Sequence, residues 1–270
     1  MRDGFYRQTS RVESEHWWFL HRRALVDDLL RVVSDGRREG GTLRSLDLGC
    51  GTGGNLSVLA RQGGVAVGLD RSALALELAR AGRPQVLLVR ADANRLAHSF
   101  APESFDLVTV FNVLYHRWIE REEDVLEQIG RVLKPGGRLV LTEPAFNFLY
   151  RRHDEIDFGA RRYTRSGLRR RLEATGFEVT RATYFNSVAL VPAAVAALVD
   201  RVRVFGGAGG GSDESVELKV PPWALNRLLF AICSLERRWI ATFGSIPFGV
   251  GVLLLARRRG GEGSPAQVGT

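Results

Sequence analysis

Between residues 44 and 185, short runs of consecutive apolar residues alternate with stretches in which apolar residues recur every three or four positions. The runs at 45–48, 65–69, 86–89, 107–111 and 139–142 have the pattern of strands covered on both faces. Between them the spacing predicts helices near 55–62, 72–81 and 120–133, with Ser72 as an N-cap and Lys134-Pro135-Gly136-Gly137 as a stop. A further helix at 165–174, bracketed by Thr164 and Gly176, leads into a strand at 177–185. Such alternation predicts an α/β fold, a doubly wound and mostly parallel sheet with right-handed crossovers.

The flanks read differently. Residues 1–43 are expected to form an N-terminal helical cap: Leu25, Val26, Leu29, Leu30 and Val33 share a helical face, and the aromatic cluster Trp17, Trp18, Phe19 precedes it. After the core at 44–186, residues 187–247 hold an apolar run, a glycine-rich linker at 206–212, Pro221-Pro222 and an amphipathic helix at 223–239, the pattern of a helical insertion. Residues 248–257 read as a returning last strand, and the charged, glycine-rich 258–270 as a disordered tail. On the helix at 223–239, Leu225, Leu228, Leu229, Ile232 and Leu235 form a stripe whose expected role is packing against the sheet. The alternative is peripheral membrane contact, for which Trp223, Trp239, Arg227, Arg237 and Arg238 would supply interface-seeking groups.

The net charge of +8 changes this picture little. Its cations are almost all Arg, with Lys only at Lys134 and Lys219, and no nucleic-acid recognition module is visible, so no nucleic-acid partner is expected. Cys50 and Cys233 are far apart without a partner motif, which supports neither a disulfide framework nor a cysteine metal site; no metal is expected. The opening residues lack the continuous apolar stretch of a secretory signal, and the apolar runs near 187–199 and 246–256 are shorter than a membrane span, so a cytoplasmic location is expected.

The candidate chemistry lies at the strand ends. Leu46-Asp47-Leu48-Gly49-Cys50-Gly51-Thr52-Gly53-Gly54 is a glycine loop after the first strand, lacking side chains where a ligand must approach the backbone. Gly49, Gly51 and Gly54 also satisfy the dinucleotide pattern, so the loop alone leaves a nicotinamide oxidoreductase open. Asp70 ends the second strand and Asp92 follows the third; with Asp47 they would converge on one crevice at the carboxyl edge. Such a ring repels a pyrophosphate and suits a cationic ligand.

LDLGCGTGG, VGLD, VRAD, SFDLVTVFNVLYH and RVLKPGGRLVLTEP, in that order, resemble the motif series of the class I S-adenosylmethionine (SAM)-dependent methyltransferases, bacterial small-molecule type. The resemblance implies a seven-stranded sheet with an antiparallel last strand, SAM as cofactor, and methyl transfer to an O, N or C atom of a small metabolite or lipid-like acceptor. By position it implies Gly49, Gly51 and Gly53 along the methionine part of SAM with Asp47 near its ammonium group, Asp70 at the ribose, Asp92 and Ala93 at the adenine, and Asn112 beside the methionine moiety. EHWWF resembles the cap of such enzymes, where an aromatic covers the cofactor. His116, after the fourth strand, is the expected acceptor-side base, with His153 and Tyr163 from HDEIDFGARRY as its alternates and the insertion as an acceptor-side lid. A catalytically silent SAM-binding scaffold remains a rival; a nucleic-acid methyltransferase is opposed by FNVLYH where an Asn/Asp-Pro-Pro-aromatic element would stand.

Overall fold

The computed structural model describes residues 3–34, 42–82, 86–151, 154–155, 158–205 and 219–260. Two helices, α1 (Asp3–Val12) and α2 (Trp17–Ser34), precede a sheet of seven strands: β1 (Leu43–Leu48), β2 (Gly64–Asp70), β3 (Leu87–Arg90), β4 (Phe105–Phe111), β5 (Leu133–Pro144), β6 (Phe177–Phe185) and β7 (Gly251–Arg258). The strand order is β3-β2-β1-β4-β5-β7-β6. β1 to β5 pair in parallel, while β7 runs antiparallel between β5 and β6. The returning strand therefore inserts between its neighbours, and residues 248–250 lie ahead of it.

Helices α3 (Leu56–Ala60), α4 (Ala73–Gly82), α5 (Leu96–Ser99), α6 (Glu122–Val132) and α7 (Arg165–Ala174) fill the crossovers, and α8 (Leu190–Phe205) and α9 (Trp223–Phe243) precede β7. The expected caps are made: Ser72 Oγ accepts from the Ala75 N–H, and Thr164 Oγ1 from the Gly167 N–H. Strand pleating sends alternate residues to opposite faces. Val108 and Val110 pack with Val125, Leu126 and Ile129 of α6 and Leu168 and Leu172 of α7, while Leu107 and Val140 pack with Val26 and Leu30 of α2 and Leu56 and Leu59 of α3. Both faces are covered, which is why the central strands read as unbroken apolar runs.

Three expectations are modified. A first helix, α1, stands ahead of the predicted one and brings Tyr6 into the core. The strand ending at Pro144 begins at Leu133, because Lys134–Gly137 bulges and pairing with β4 resumes at Leu107↔Arg138. The leucine stripe of α9 does not pack on the sheet: Leu225, Leu228, Ile232 and Leu235 are exposed, while Cys233, Glu236 and Ile240 are buried. The linker at 206–212 and residues 261–270 lie outside the described residues.

Candidate functional site

The carboxyl ends of β1, β2 and β4 open into a cavity of about 390 Å³. Its floor on one side is the glycine loop. The N–H groups of Gly49 and Cys50 both donate to the Leu69 carbonyl, and the Gly51 N–H donates to Asp70 Oδ2, so the end of β2 pins the loop. Gly49 has φ +73° and a Cβ there would lie 2.4 Å from Val113 Cγ2. Both the conformation and the close approach exclude a side chain.

The sequence-predicted residues divide. Gly49, Gly51, Asp70 and Asn112 line this cavity. Asp70 is buried, and its carboxyl is held above the usual range by that burial although Ser72 and Gly51 N–H groups bond its oxygens. Asn112 turns the chain after β4 with φ +56° and donates its N–H to the Thr142 carbonyl. Gly53 turns the loop at φ +83° but lies off the wall, where Gly54 takes its place. Asp47 lies beneath the loop, bonded by Thr109 Oγ1 at 2.7 Å, and burial pushes its carboxyl up to about 7 against that bond and the charge of Arg22.

A smaller cavity of about 40 Å³ adjoins the first and is lined by Asp92, Ala93, Asp70, Trp118 and His116. Asp92 Oδ1 accepts from the backbone and side-chain N–H groups of Asn94, which fixes the short turn carrying Ala93. His116, expected on the acceptor side, lies in this smaller cavity. Its ring lies between Tyr115 and Trp118, with centroids 4.0 and 3.9 Å away, on the side of Asp92 and not on the wall of the larger chamber. The tight turn after β4, in which the His116 N–H donates to the Val113 carbonyl, directs it there. Tyr163, expected as an alternate to His116, does not line either cavity: its buried hydroxyl donates to Glu122 Oε1 at 2.8 Å, and burial and the carboxylates of Glu143 and Glu122 push its pKa up. His153 lies outside the described residues.

Residues that the sequence reading passed over complete the larger chamber. Tyr6 and Thr9 of α1, with Glu13 just beyond it, lie on its wall at spacings of three and four, a helical face that periodicity could have found. Glu13 Oε2 accepts from Thr52 Oγ1 at 2.7 Å and stands 2.5 Å from where a Gly54 Cβ would be. Arg22 is partly buried on the same wall, its Nε fully so; burial lowers its pKa against the charges of Asp47 and Glu13, and the Nε has no hydrogen-bond partner among the described residues. Farther from the loop the wall becomes apolar, with Phe19, Phe111, Leu149, Phe185, Ala193 and Val250, broken by Glu143 and by the Asp154–Arg162 pair at 2.8 Å. Glu143 is fully buried; its oxygens accept from the N–H groups of Val113, Leu114 and Tyr115, and burial pushes it up to about 8. Among the described residues no three His, Cys, Asp or Glu side chains group as a metal site.

Residues 46–141 match the family model described as a methyltransferase domain. The chain is 42% identical over 103 residues to a demethylmenaquinone methyltransferase of Clavibacter sepedonicus, covering 37% of this chain and 40% of that protein. It is 33% identical over 99 residues to a ubiquinone biosynthesis O-methyltransferase of Paracidovorax citrulli, covering 35% and 40%. The chain thus spans about two fifths of the length of these curated relatives. A solved SAM-dependent methyltransferase from Mesorhizobium loti shares the fold with a TM-score of 0.56 at 19% identity, over 91% of this chain and all of that one. With the strand order, the glycine loop and the acids at the strand ends, these matches identify residues 46–141 as a methyltransferase domain with the fold of the solved SAM-dependent methyltransferase.

Proposed function

We propose that this chain transfers the methyl group of SAM to a small, largely apolar, lipid-like acceptor. The observation that carries the reading is the continuity of one cavity from the glycine loop to an aromatic chamber. The loop fits the cofactor because Gly49 and Gly54 leave no room for side chains, and because Arg22 lines the same cavity with a buried Nε that has no partner among the described residues. Arg22 would take the carboxylate of SAM, Asp70 its ribose hydroxyls, and Asp92, Ala93 and His116 its adenine; Asp47 would act from beneath the loop on the ammonium side.

When bound, SAM would supply an electrophilic methyl carbon for transfer to an acceptor lone pair, with S-adenosylhomocysteine as the leaving group. The protein's part is then alignment and exclusion of water. Phe19, Phe111 and Phe185 would hold the acceptor's apolar body, and the Asp154–Arg162 pair would meet its polar end. Glu143 fixes the turn carrying Asn112 to Tyr115 and so sets the boundary between the two halves. Helix α8, whose Ala193 lies on the wall, would serve as the acceptor-side lid. The quinone methyltransferases among the relatives support an acceptor of this character.

The test is incubation with methyl-labelled SAM and with separated lipid and aqueous extracts of the producing organism. Label in an organic-phase product, with S-adenosylhomocysteine formed, is the expected result. Label only in aqueous metabolites overturns the acceptor class, and binding without any S-adenosylhomocysteine formation makes the chain a silent scaffold.

A further inference from the structure

We infer that the outer faces of α8 and α9 dock this protein on the surface of an anionic lipid bilayer. Two interleaved stripes run along α9. The inward one, Asn226, Cys233, Glu236 and Ile240, is partly polar and is fixed by specific bonds: Asn226 Oδ1 accepts from the Trp17 N–H at 2.9 Å and its Nδ2 donates to the Glu15 carbonyl, while Glu236 accepts from His21 and from the backbone N–H groups of Asn186 and Ser187. The outward stripe is the more apolar. Leu228 is 57% exposed, Leu235 63%, Trp239 53% and Phe243 65%, and Trp223 at the start of the helix is 73% exposed. An isolated exposed leucine needs no explanation, but a row along 21 residues, about 30 Å of helix, with a Trp near each end does.

Helix α8 repeats the arrangement beside the cavity. Ala193 lies on the chamber wall, whereas Val191, Val195, Leu198 and Val202 of the same helix are exposed. The helix that borders the acceptor chamber thus turns a second apolar face outward.

Charge identifies the occupant. Among the described residues of 187–249 the carboxylates are Asp200, paired with Arg151 at 2.7 Å, and the buried Glu236. Arg201, Lys219, Arg227 and Arg238 are exposed on the same segment, and the Arg227 guanidinium lies 5.0 Å from the Trp223 ring centroid. Among the described residues of α8 and α9, exposed apolar side chains, Trp at the margins and cations without exposed carboxylates are the composition of a helix lying in an anionic interface; Asp213, Glu214 and Glu217 stand in the linker outside the described residues. A second copy of this chain, with its own net charge of +8 and the same cations, would be repelled by this face. No helix of the described residues is long and apolar enough to cross a membrane, so the contact is with the surface.

The test is sedimentation of the full chain with vesicles of phosphatidylcholine alone or with about a quarter phosphatidylglycerol, at low and high salt, beside the variants Leu228→Ser/Leu235→Ser and Arg227→Gln/Arg238→Gln. These positions are exposed, and circular dichroism with S-adenosylhomocysteine binding verifies that each variant is folded. Binding to the anionic vesicles that weakens in salt and falls roughly tenfold or more in each variant is expected. No sedimentation at low salt overturns the inference, as does binding that both variants retain. A dimer in light scattering that Leu228→Ser/Leu235→Ser dissociates, without vesicle binding, assigns the face to a second copy and overturns it as well. Vesicle binding is read without methyl transfer, so its failure leaves the proposed reaction standing, and failure of the reaction leaves the docking surface standing.

Discussion

Replacing Glu143 by Gln changes two things that pH separates. The first is hydrogen bonding. In the native protein Oε1 accepts from the Val113 N–H at 3.1 Å and the Leu114 N–H at 2.8 Å, and Oε2 accepts from the Tyr115 N–H at 3.2 Å. Relative to the ionised carboxylate, an amide keeps one acceptor and turns an NH₂ toward a buried N–H, which costs about 1–3 kcal/mol. The second is titration. Burial moves the Glu143 carboxyl from 4.5 to about 8, even though three N–H groups favour its charged form. A folded-state pKa above the unfolded one means that the native state holds the proton more tightly. Its stabilising contribution is complete below about pH 4.5 and is lost as pH rises through about 8. At about 1.4 kcal/mol per pH unit the window spans at most about 5 kcal/mol. The amide of the Glu143→Gln variant does not titrate and makes no such contribution. The native protein should therefore exceed the variant in stability by the widest margin at about pH 4.5 and below, and the margin should shrink by several kcal/mol by about pH 8.5. Asp47, pushed in the same direction, is common to both proteins and cancels in the difference. Urea unfolding followed by tryptophan fluorescence at several pH values measures the margin. A margin that is constant, or that grows with pH, would refute the reasoning.

Three further outcomes are expected. Gly49→Ala should lose more than the about 1–2 kcal/mol of left-handed strain, because its Cβ also meets Val113 Cγ2; adding Val113→Ala should relieve the contact and leave the strain, which a double-mutant cycle in unfolding free energy resolves. His116→Ala should weaken S-adenosylhomocysteine binding measured by calorimetry, since the ring lies with Asp92 and Ala93; unchanged affinity with lost turnover would return His116 to the acceptor side. Glu236→Ala should destabilise the fold by about 3–5 kcal/mol by orphaning the Asn186 and Ser187 N–H groups and the His21 partner. Burial raises the Glu236 pKa, but the bonds from His21 and Ser187 outweigh it and leave it lowered, so this contribution is present above the ordinary carboxylate range and fades on acidification; a loss below about 1 kcal/mol near pH 7 in chemical denaturation counts against this role of Glu236.

The sheet was legible because its strands are covered on both faces, which leaves continuous apolar runs that no amphipathic helix has. Local signals set the limits of α7 and β6, expected at 165–174 and 177–185 and found there, since Thr164 caps one and Gly176, at φ +87°, separates them. The glycine loop and the acids at Asp70 and Asp92 were equally readable, because a parallel sheet brings successive strand ends to one edge whatever the loops do. Side-chain direction was not. His116 follows β4 as expected, yet a one-turn reversal sends its ring to the side of Asp92, and no spacing in the sequence encodes that turn. Glu143 and Arg22 read as ordinary strand-end and helix charges, and only packing among groups distant in sequence makes them part of the cavity wall. On α9 the periodicity supports two faces one residue apart, and hydrophobicity favours the leucines. Sequence alone determined that a helix stands there and that it is amphipathic; the tertiary structure decided which face turns inward, because Asn226 and Glu236 pair backbone N–H groups at the start of α2 and just after β6 that would each cost about 1–3 kcal/mol if buried unpaired.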